Sequence, residues 1–359
     1  MGFCQKACLA AVFAVGFGLS LLDEARADEW NSWNDPSNLK VAFDRSFEAL
    51  PLSGSVDNAD IPWSETYWPS NRGSIANRWN SPTGGSFKYK SPTREQLMSM
   101  GRAQIAELSA AEKYDIFMGR YDYPTRDRAW ANSSPHAKPW AGICNGWSPA
   151  SIFYHEPKAV DKVNPDGIVV PFASSDVKGL MSFFYAFDAK AETNQMGARC
   201  FFNAFSGTSN CSDVNAGSFH IVLANFIGLQ KKAFVADVDR LKEVWNNPVY
   251  KYESKIIGEL SVGHGSAPGT VRRVRVSTQM TYTDELEVSR WEPVTGTGDF
   301  KSATKDYQYV LEIGSGGQIL GGDWESWDRP DFLWTSQKVP FTGVWDSLNA
   351  IYEPISSSQ

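Results

Sequence analysis

A proline five residues after a cysteine limits where one helix of this chain can start. In Gly142-Ile-Cys144-Asn-Gly-Trp147-Ser-Pro149-Ala-Ser151, the proline is tolerated where its missing N–H would be unbonded anyway. With Asn145 as N-cap, Pro149 falls in the first turn. With Ser148 as N-cap, it takes the favoured first position. Either way Cys144 lies at or just before a helix N-terminus. The partial positive charge of that end stabilises a thiolate and lowers the thiol pKa.

Cys144 also stands apart from the other four cysteines. Cys4 and Cys8 lie in a stretch with the form of an export signal. Lys6 is its positive start, Ala7 to Leu22 its apolar run, and Ala25-Arg-Ala27 its small-x-small cleavage site. A membrane span needs about 20 apolar residues and other flanks, and no later stretch qualifies. The mature chain is expected to begin near Asp28, in a secreted or periplasmic protein. Cys200 and Cys211, eleven positions apart, suit a local disulfide. One thiol is left over in an exported protein, which makes Cys144 a candidate nucleophile. The bland alternative is a buried cysteine acting as a small hydrophobe.

A net charge of −7 and a pI near 5.3 argue against a nucleic-acid binder. Hydrophobic residues make up 42% of the chain, ample for a large core, and its 14 tryptophans suit cleft walls as well as packing. Four stretches are expected: a signal over 1–27, a Trp- and Pro-rich segment over 28–90 packed on the core, a catalytic domain over 91–345 and a tail over 346–359. Two helices are predicted between Thr93 and Gly119, capped by Thr93 and Ser109. Ser174 or Ser175 caps another through Phe187. Phe219 to Ile227 reads as a buried strand that turns at Gly228–Lys231 and returns as Ala233 to Val238. Thr270 to Tyr282 and Tyr307 to Ile313 read as antiparallel strands. Gly314-Ser-Gly-Gly317 reads as a tight turn and lacks the Lys-Ser or Lys-Thr of a phosphate loop.

A thiol nucleophile needs a base and a group to orient that base. Four histidines are available. His220, at the start of the predicted strand, is the first candidate and His136 the second. His155 lies beyond the helix end, and His264, in Gly-His-Gly, reads as a turn residue. On the returning strand Asp237 is the preferred acid for its burial, with Asp239 as the alternative. An oxyanion hole would use the Cys144 backbone N–H and an indole N–H from Trp140, Trp130 or Trp147. The acids form no Asp-x-Asp-x-Asp-Gly loop, so no cofactor or metal is expected and calcium has no motif behind it. Asp323-Trp-Glu325-Ser-Trp-Asp328 is weighed as a cation site against a solvated loop.

Glu243-Val-Trp245-Asn-Asn-Pro248-Val-Tyr-Lys-Tyr-Glu253 resembles the surface peptide of oomycete cell-wall transglutaminases, the transglutaminase elicitor family, with Asn247 where that peptide has Gln. Gly142 to Ser151 is similar to the family's Cys-x-Gly-Trp-x-Pro-Ala segment. Ile61-Pro-Trp63 to Tyr67-Trp68-Pro69 resembles its N-terminal part, and Phe219-His220-Ile-Val to Asp237 its His and Asp segment. The resemblance implies an α+β fold with a papain-like, transglutaminase-like core: a helix carrying Cys144 packed on an antiparallel sheet carrying His220 and Asp237. It implies a secreted protein-glutamine γ-glutamyltransferase that crosslinks protein glutamine to lysine or another primary amine. The alternatives are a secreted cysteine protease or amidase on the same triad, and a Trp-rich recognition protein with an inert thiol. Without the resemblance, Trp245 to Pro248 reads as a surface turn pinned by a tryptophan.

Overall fold

A computed structural model describes residues 31–81, 88–199, 201–203, 208–210 and 213–355. The expected signal, and the Cys200–Cys211 disulfide, lie outside the described residues.

The helices are α1 (Arg94–Ser99), α2 (Arg102–Ala106), α3 (Ala110–Phe117), α4 (Pro124–Ala131), α5 (Cys144–Phe153), α6 (Ser174–Phe187), α7 (Ala216–Leu223) and α8 (Leu348–Ile351). The strands are β1 (Ser53–Ser55), β2 (Val160–Val163), β3 (Val169–Phe172), β4 (Asn194–Gly197), β5 (Phe201–Asn203), β6 (Thr208–Asn210), β7 (Phe234–Asp237), β8 (Asn246–Leu260), β9 (Thr270–Thr283), β10 (Ser302–Gly314), β11 (Ile319–Trp324) and β12 (Phe332–Thr335). Eight of them form one antiparallel sheet in the order β11-β10-β9-β8-β7-β12-β4, with β1 paired to β8. The predicted strands at 270–282 and 307–313 are β9 and β10, and the glycine run is the turn into β11, with Gly317 at φ 76°. A positive φ there costs glycine nothing.

Alternation along the strands separates two faces. One carries Phe234 and Ala236 of β7, Val274 and Val276 of β9, Tyr307 and Tyr309 of β10 and Leu333 of β12, and is covered by α7 and by Leu39, Phe47 and Leu50. The other carries Val235, Phe332 and Trp334 and meets Ile152 of α5 and Val244. Behind α5 lies a second core, where Trp63, Trp147, Phe172 and Phe183 are buried among α1 to α6 and α8.

Two predicted elements come out differently. Phe219 to Ile227 is not a strand. It is helix α7 running into a single wide turn over Ala224–Leu229. Asn215 caps α7, its side chain accepting from Gly217 N at 2.8 Å. A run buried on all sides, its two polar residues His220 and Asn225 included, carries no period that separates strand from helix. The antiparallel sheet therefore carries Asp237 but not His220. Between Thr93 and Gly119 there are three helices rather than two. The chain extends at Met100 and Gly101 and restarts. Thr93 and Ser109 both cap as predicted, accepting from Gln96 N and Glu112 N. For α6 the cap residue is Ala173 rather than a serine, because Asp176 reaches back to accept from Ala173 N at 2.8 Å.

Candidate active site

The N-cap of α5 is Ile143, so Cys144 is its first helical residue and Pro149 sits inside the helix. That cap lies two residues before Asn145 and five before Ser148, the two predicted caps. The proline leaves the Asn145 carbonyl without its helical donor, and Asn145 itself lies at the surface. Two close approaches hold the helix start. A Cβ on Gly142 would lie 2.2 Å from Tyr67 O, and one on Gly146 would lie 2.0 Å from Ser182 O of α6. Ile143 N donates to Tyr67 O at 2.8 Å.

The first turn of α5 abuts the start of β8. Asn246 Nδ2 donates to Cys144 Sγ at 3.4 Å, and the thiol points at Val244 O, 3.9 Å away. Trp334 Nε1 donates to Asn246 Oδ1 at 2.9 Å. Ser148 Oγ donates to the Asn246 carbonyl. Asp237 stands opposite Asn246 in the β7–β8 register and opposite Phe332 in the β7–β12 register, so these residues form one row on the α5 face. Asp237 Oδ1 accepts from Trp245 N at 3.2 Å, while Oδ2 has no partner among the described residues. The peptide Trp245 to Tyr250 is therefore no surface turn. Asn246 through Tyr250 are buried.

Cys144 is 6% exposed. Burial pushes its thiol up, against the expectation from the helix end; the Asn246 amide and the Asn145 backbone pull it down, and Glu285 raises it. Burial, with Asp331 and Asp239 nearby, pushes the Asp237 carboxyl up to about 8. Burial and the adjacent Asp284 raise Glu285, which accepts from Asn247 Nδ2 at 3.5 Å.

Cys144 and Asp237 thus share a face, but His220 does not join them. Its Nδ1 lies 2.8 Å from Tyr309 OH and its ring packs near Phe47, both on the face covered by α7. Burial pushes it down to about 4. The side chain of α7, not of a strand edge, aims it there. His136 is exposed. His155 is exposed with Nδ1 3.0 Å from Ala59 O, and His264 sits in the exposed turn between β8 and β9. The alternative acid Asp239 is engaged by Lys305 at 3.3 Å. Trp147 is fully buried and donates to Trp63 O at 3.1 Å, so its indole lines no cleft. Trp140 is half-buried, with Lys138 5.6 Å over its ring. Trp130 packs edge-on against Tyr89, with Arg126 4.5 Å over it. The acids of 323–328 are paired: Asp323 with Arg273, Glu325 with Arg275, Asp328 with Lys305.

Sequence reasoning missed Asn246, Trp334 and Glu285. Asn246 sat inside a motif already singled out. Trp334 carried no local signal, because only the β7–β12 pairing brings it to the thiol. No helix among the described residues is long and apolar enough to cross a membrane.

No curated protein matches the chain. The crystal structure of the GP42 transglutaminase from Phytophthora sojae has a similar fold, with a TM-score of 0.66 at 23% identity over 88% of this chain and 94% of that one. The sequence model described as "Transglutaminase elicitor" matches residues 125–357, well over half of the protein. This chain, with its cysteine at the head of α5 and its mixed helix and antiparallel-sheet fold, belongs to the transglutaminase elicitor family.

Proposed function

We propose that the protein is a protein-glutamine γ-glutamyltransferase with Cys144 as its nucleophile. The observation that carries this reading is a thiol at the first position of a helix, with a side-chain N–H donor on its sulfur and a buried carboxyl in the same row, in a chain of this family. The Cys144 sulfur attacks the side-chain amide carbon of a protein glutamine. The S–C bond forms, the C–N bond breaks, and the thiol proton leaves on the nitrogen as ammonia. The Cys144 backbone N–H, at a helix start and without an intrahelical acceptor, is placed to stabilise the oxyanion. A lysine amine then attacks the thioester, forming the isopeptide bond and returning a proton to sulfur. Water in its place gives deamidation.

Asp237 is the group we assign to move the proton. A carboxyl titrating near 8 gives and takes a proton at neutral pH more readily than an ordinary aspartate. His220 is left out of this mechanism because it lies on the α7 side of the sheet, with Nδ1 on Tyr309 OH and Nε2 without a partner among the described residues. The expected substrates are protein glutamines and lysines outside the cell, in keeping with the export signal read at the N-terminus.

The test is ammonia release and incorporation of a fluorescent primary amine into a glutamine-rich protein, by the wild type and by Cys144→Ala. Incorporation lost in the variant is expected. Full incorporation by Cys144→Ala overturns the mechanism. Peptide-bond cleavage without incorporation transfers the same thiol to a protease.

A further inference from the structure

The amide between the thiol and the indole is fixed at both ends. An indole N–H only donates, so the Asn246 atom 2.9 Å from Trp334 Nε1 must be the oxygen. The NH2 group then has one direction left, toward Cys144 Sγ at 3.4 Å. The amide assignment, ordinarily a choice made from surroundings, is forced here by a donor that cannot reverse its role.

A donor on sulfur means different things in the two charge states. A neutral thiol is a weak acceptor, whereas a thiolate makes a charge-assisted bond, roughly twice as strong as a neutral one. Asn246 is 8% exposed and Trp334 8% exposed, so water does not compete for either bond. The amide therefore favours the anion selectively. It works against burial of the thiol and against Glu285, on the segment after β9; Asp237, whose carboxyl burial pushes up to about 8, stands opposite Asn246 on β7.

We infer that Asn246 is a further catalytic residue, whose side-chain amide, aimed by Trp334, holds the Cys144 sulfur as the attacking thiolate. This rests on the reading of Cys144 as nucleophile. Trp334 is a positioning residue, acting only through the amide oxygen. The backbone contacts of Asn246, namely the carbonyl bond from Ser148 and the pairing with Asp237, do not involve its side chain. Side-chain replacement leaves them in place.

The experiment is the pH profile of iodoacetamide alkylation at Cys144, read by mass spectrometry of the peptide that carries it, for the wild-type chain and for Asn246→Ala, Asn246→Asp and Trp334→Phe. Asn246→Asp is isosteric and keeps an acceptor for Trp334, but it turns a carboxylate toward sulfur. We expect the alkylation midpoint to rise by about one pH unit in Asn246→Ala, by more in Asn246→Asp, and by about half a unit in Trp334→Phe. At pH values below the midpoint, the Asn246→Ala rate falls about tenfold, while rates above it converge. Should Asn246→Ala fail to fold by circular dichroism, the isosteric aspartate variant and Trp334→Phe decide. Wild-type midpoints in the folded variants overturn the inference. Raised midpoints in a protein that incorporates no amine sustain the role of Asn246 and sink the transferase reading. Amine incorporation with unmoved midpoints does the reverse.

Discussion

His220 Nδ1 and Tyr309 OH lie 2.8 Å apart on the face of the sheet that turns away from Cys144. Tyr309 OH also meets Thr278 Oγ1 at 2.7 Å, which in turn meets Ser254 Oγ at 2.7 Å. This is a buried chain of hydroxyls ending on an imidazole. His220→Ala is therefore expected to lower stability by about 1 kcal/mol through the lost hydrogen bond, besides the lost packing, while Tyr309 OH keeps Thr278. Amine incorporation by the folded fraction should stay within about threefold of wild type. Thermal melts and the crosslinking assay on one preparation check both halves.

The same histidine makes the fold acid-sensitive. Its folded pKa is about 4, below the ordinary value of 6.5. The unfolded chain thus binds the proton first, and stability falls as pH drops from about 6.5 toward 4, by up to about 3 kcal/mol. Denaturant melts between those pH values should show a loss that His220→Ala largely removes.

Asp237→Asn should separate activity from stability. The aspartate is protonated in the fold up to about pH 8 but ionises near 3.8 when unfolded. The folded state holds the extra proton, so this group costs stability increasingly as pH rises from about 4 to 8. Asparagine keeps an oxygen for Trp245 N and removes the charge. We expect a gain of at least about 1 kcal/mol at pH 8, together with amine incorporation reduced about a hundredfold or more. Urea melts at pH 5 and pH 8, run beside the assay, test the pair of effects.

Lys178 is buried in α6 with Glu156 at 2.5 Å and Glu65 at 3.5 Å. Lys178→Met would leave two carboxyls without their cation, at a cost of about 3–5 kcal/mol. Soluble yield and melting temperature report it. Replacing Glu65 by Gln in that background should recover part of the loss.

Gly146→Ala sets a methyl 2.0 Å from a backbone carbonyl of α6, which no rotamer change relieves. Overpacking of this kind costs about 3 kcal/mol or more. Failure to express in soluble form, or a strongly lowered melting temperature, is expected.

What was legible in the sequence followed from local chemistry. The caps at Thr93 and Ser109, strands β9 and β10, and Cys144 at a helix start all rest on residues within one or two turns of each other. The His220 segment was not legible, because residues 219–227 are buried throughout, the polar His220 and Asn225 included, so no polar face sets a period, and packing on β10 and β11 holds them as a helix. Placing α7 there moved the imidazole across the sheet. Asp237 could be read as a buried strand acid, but its neighbour Asn246 and the indole of Trp334 come together only through the pairing of β7 with β8 on one side and β12 on the other.

The run from Trp245 to Tyr250 is continuous in sequence but not in what it shows to the outside. Its indole is half-buried, and the next five residues lie beneath the surface, with Asn246 given over to the sulfur. An antibody raised against the linear peptide 243–253 should bind the boiled chain on a blot and pass over the native protein in solution. The folded molecule keeps its most recognisable word facing inward.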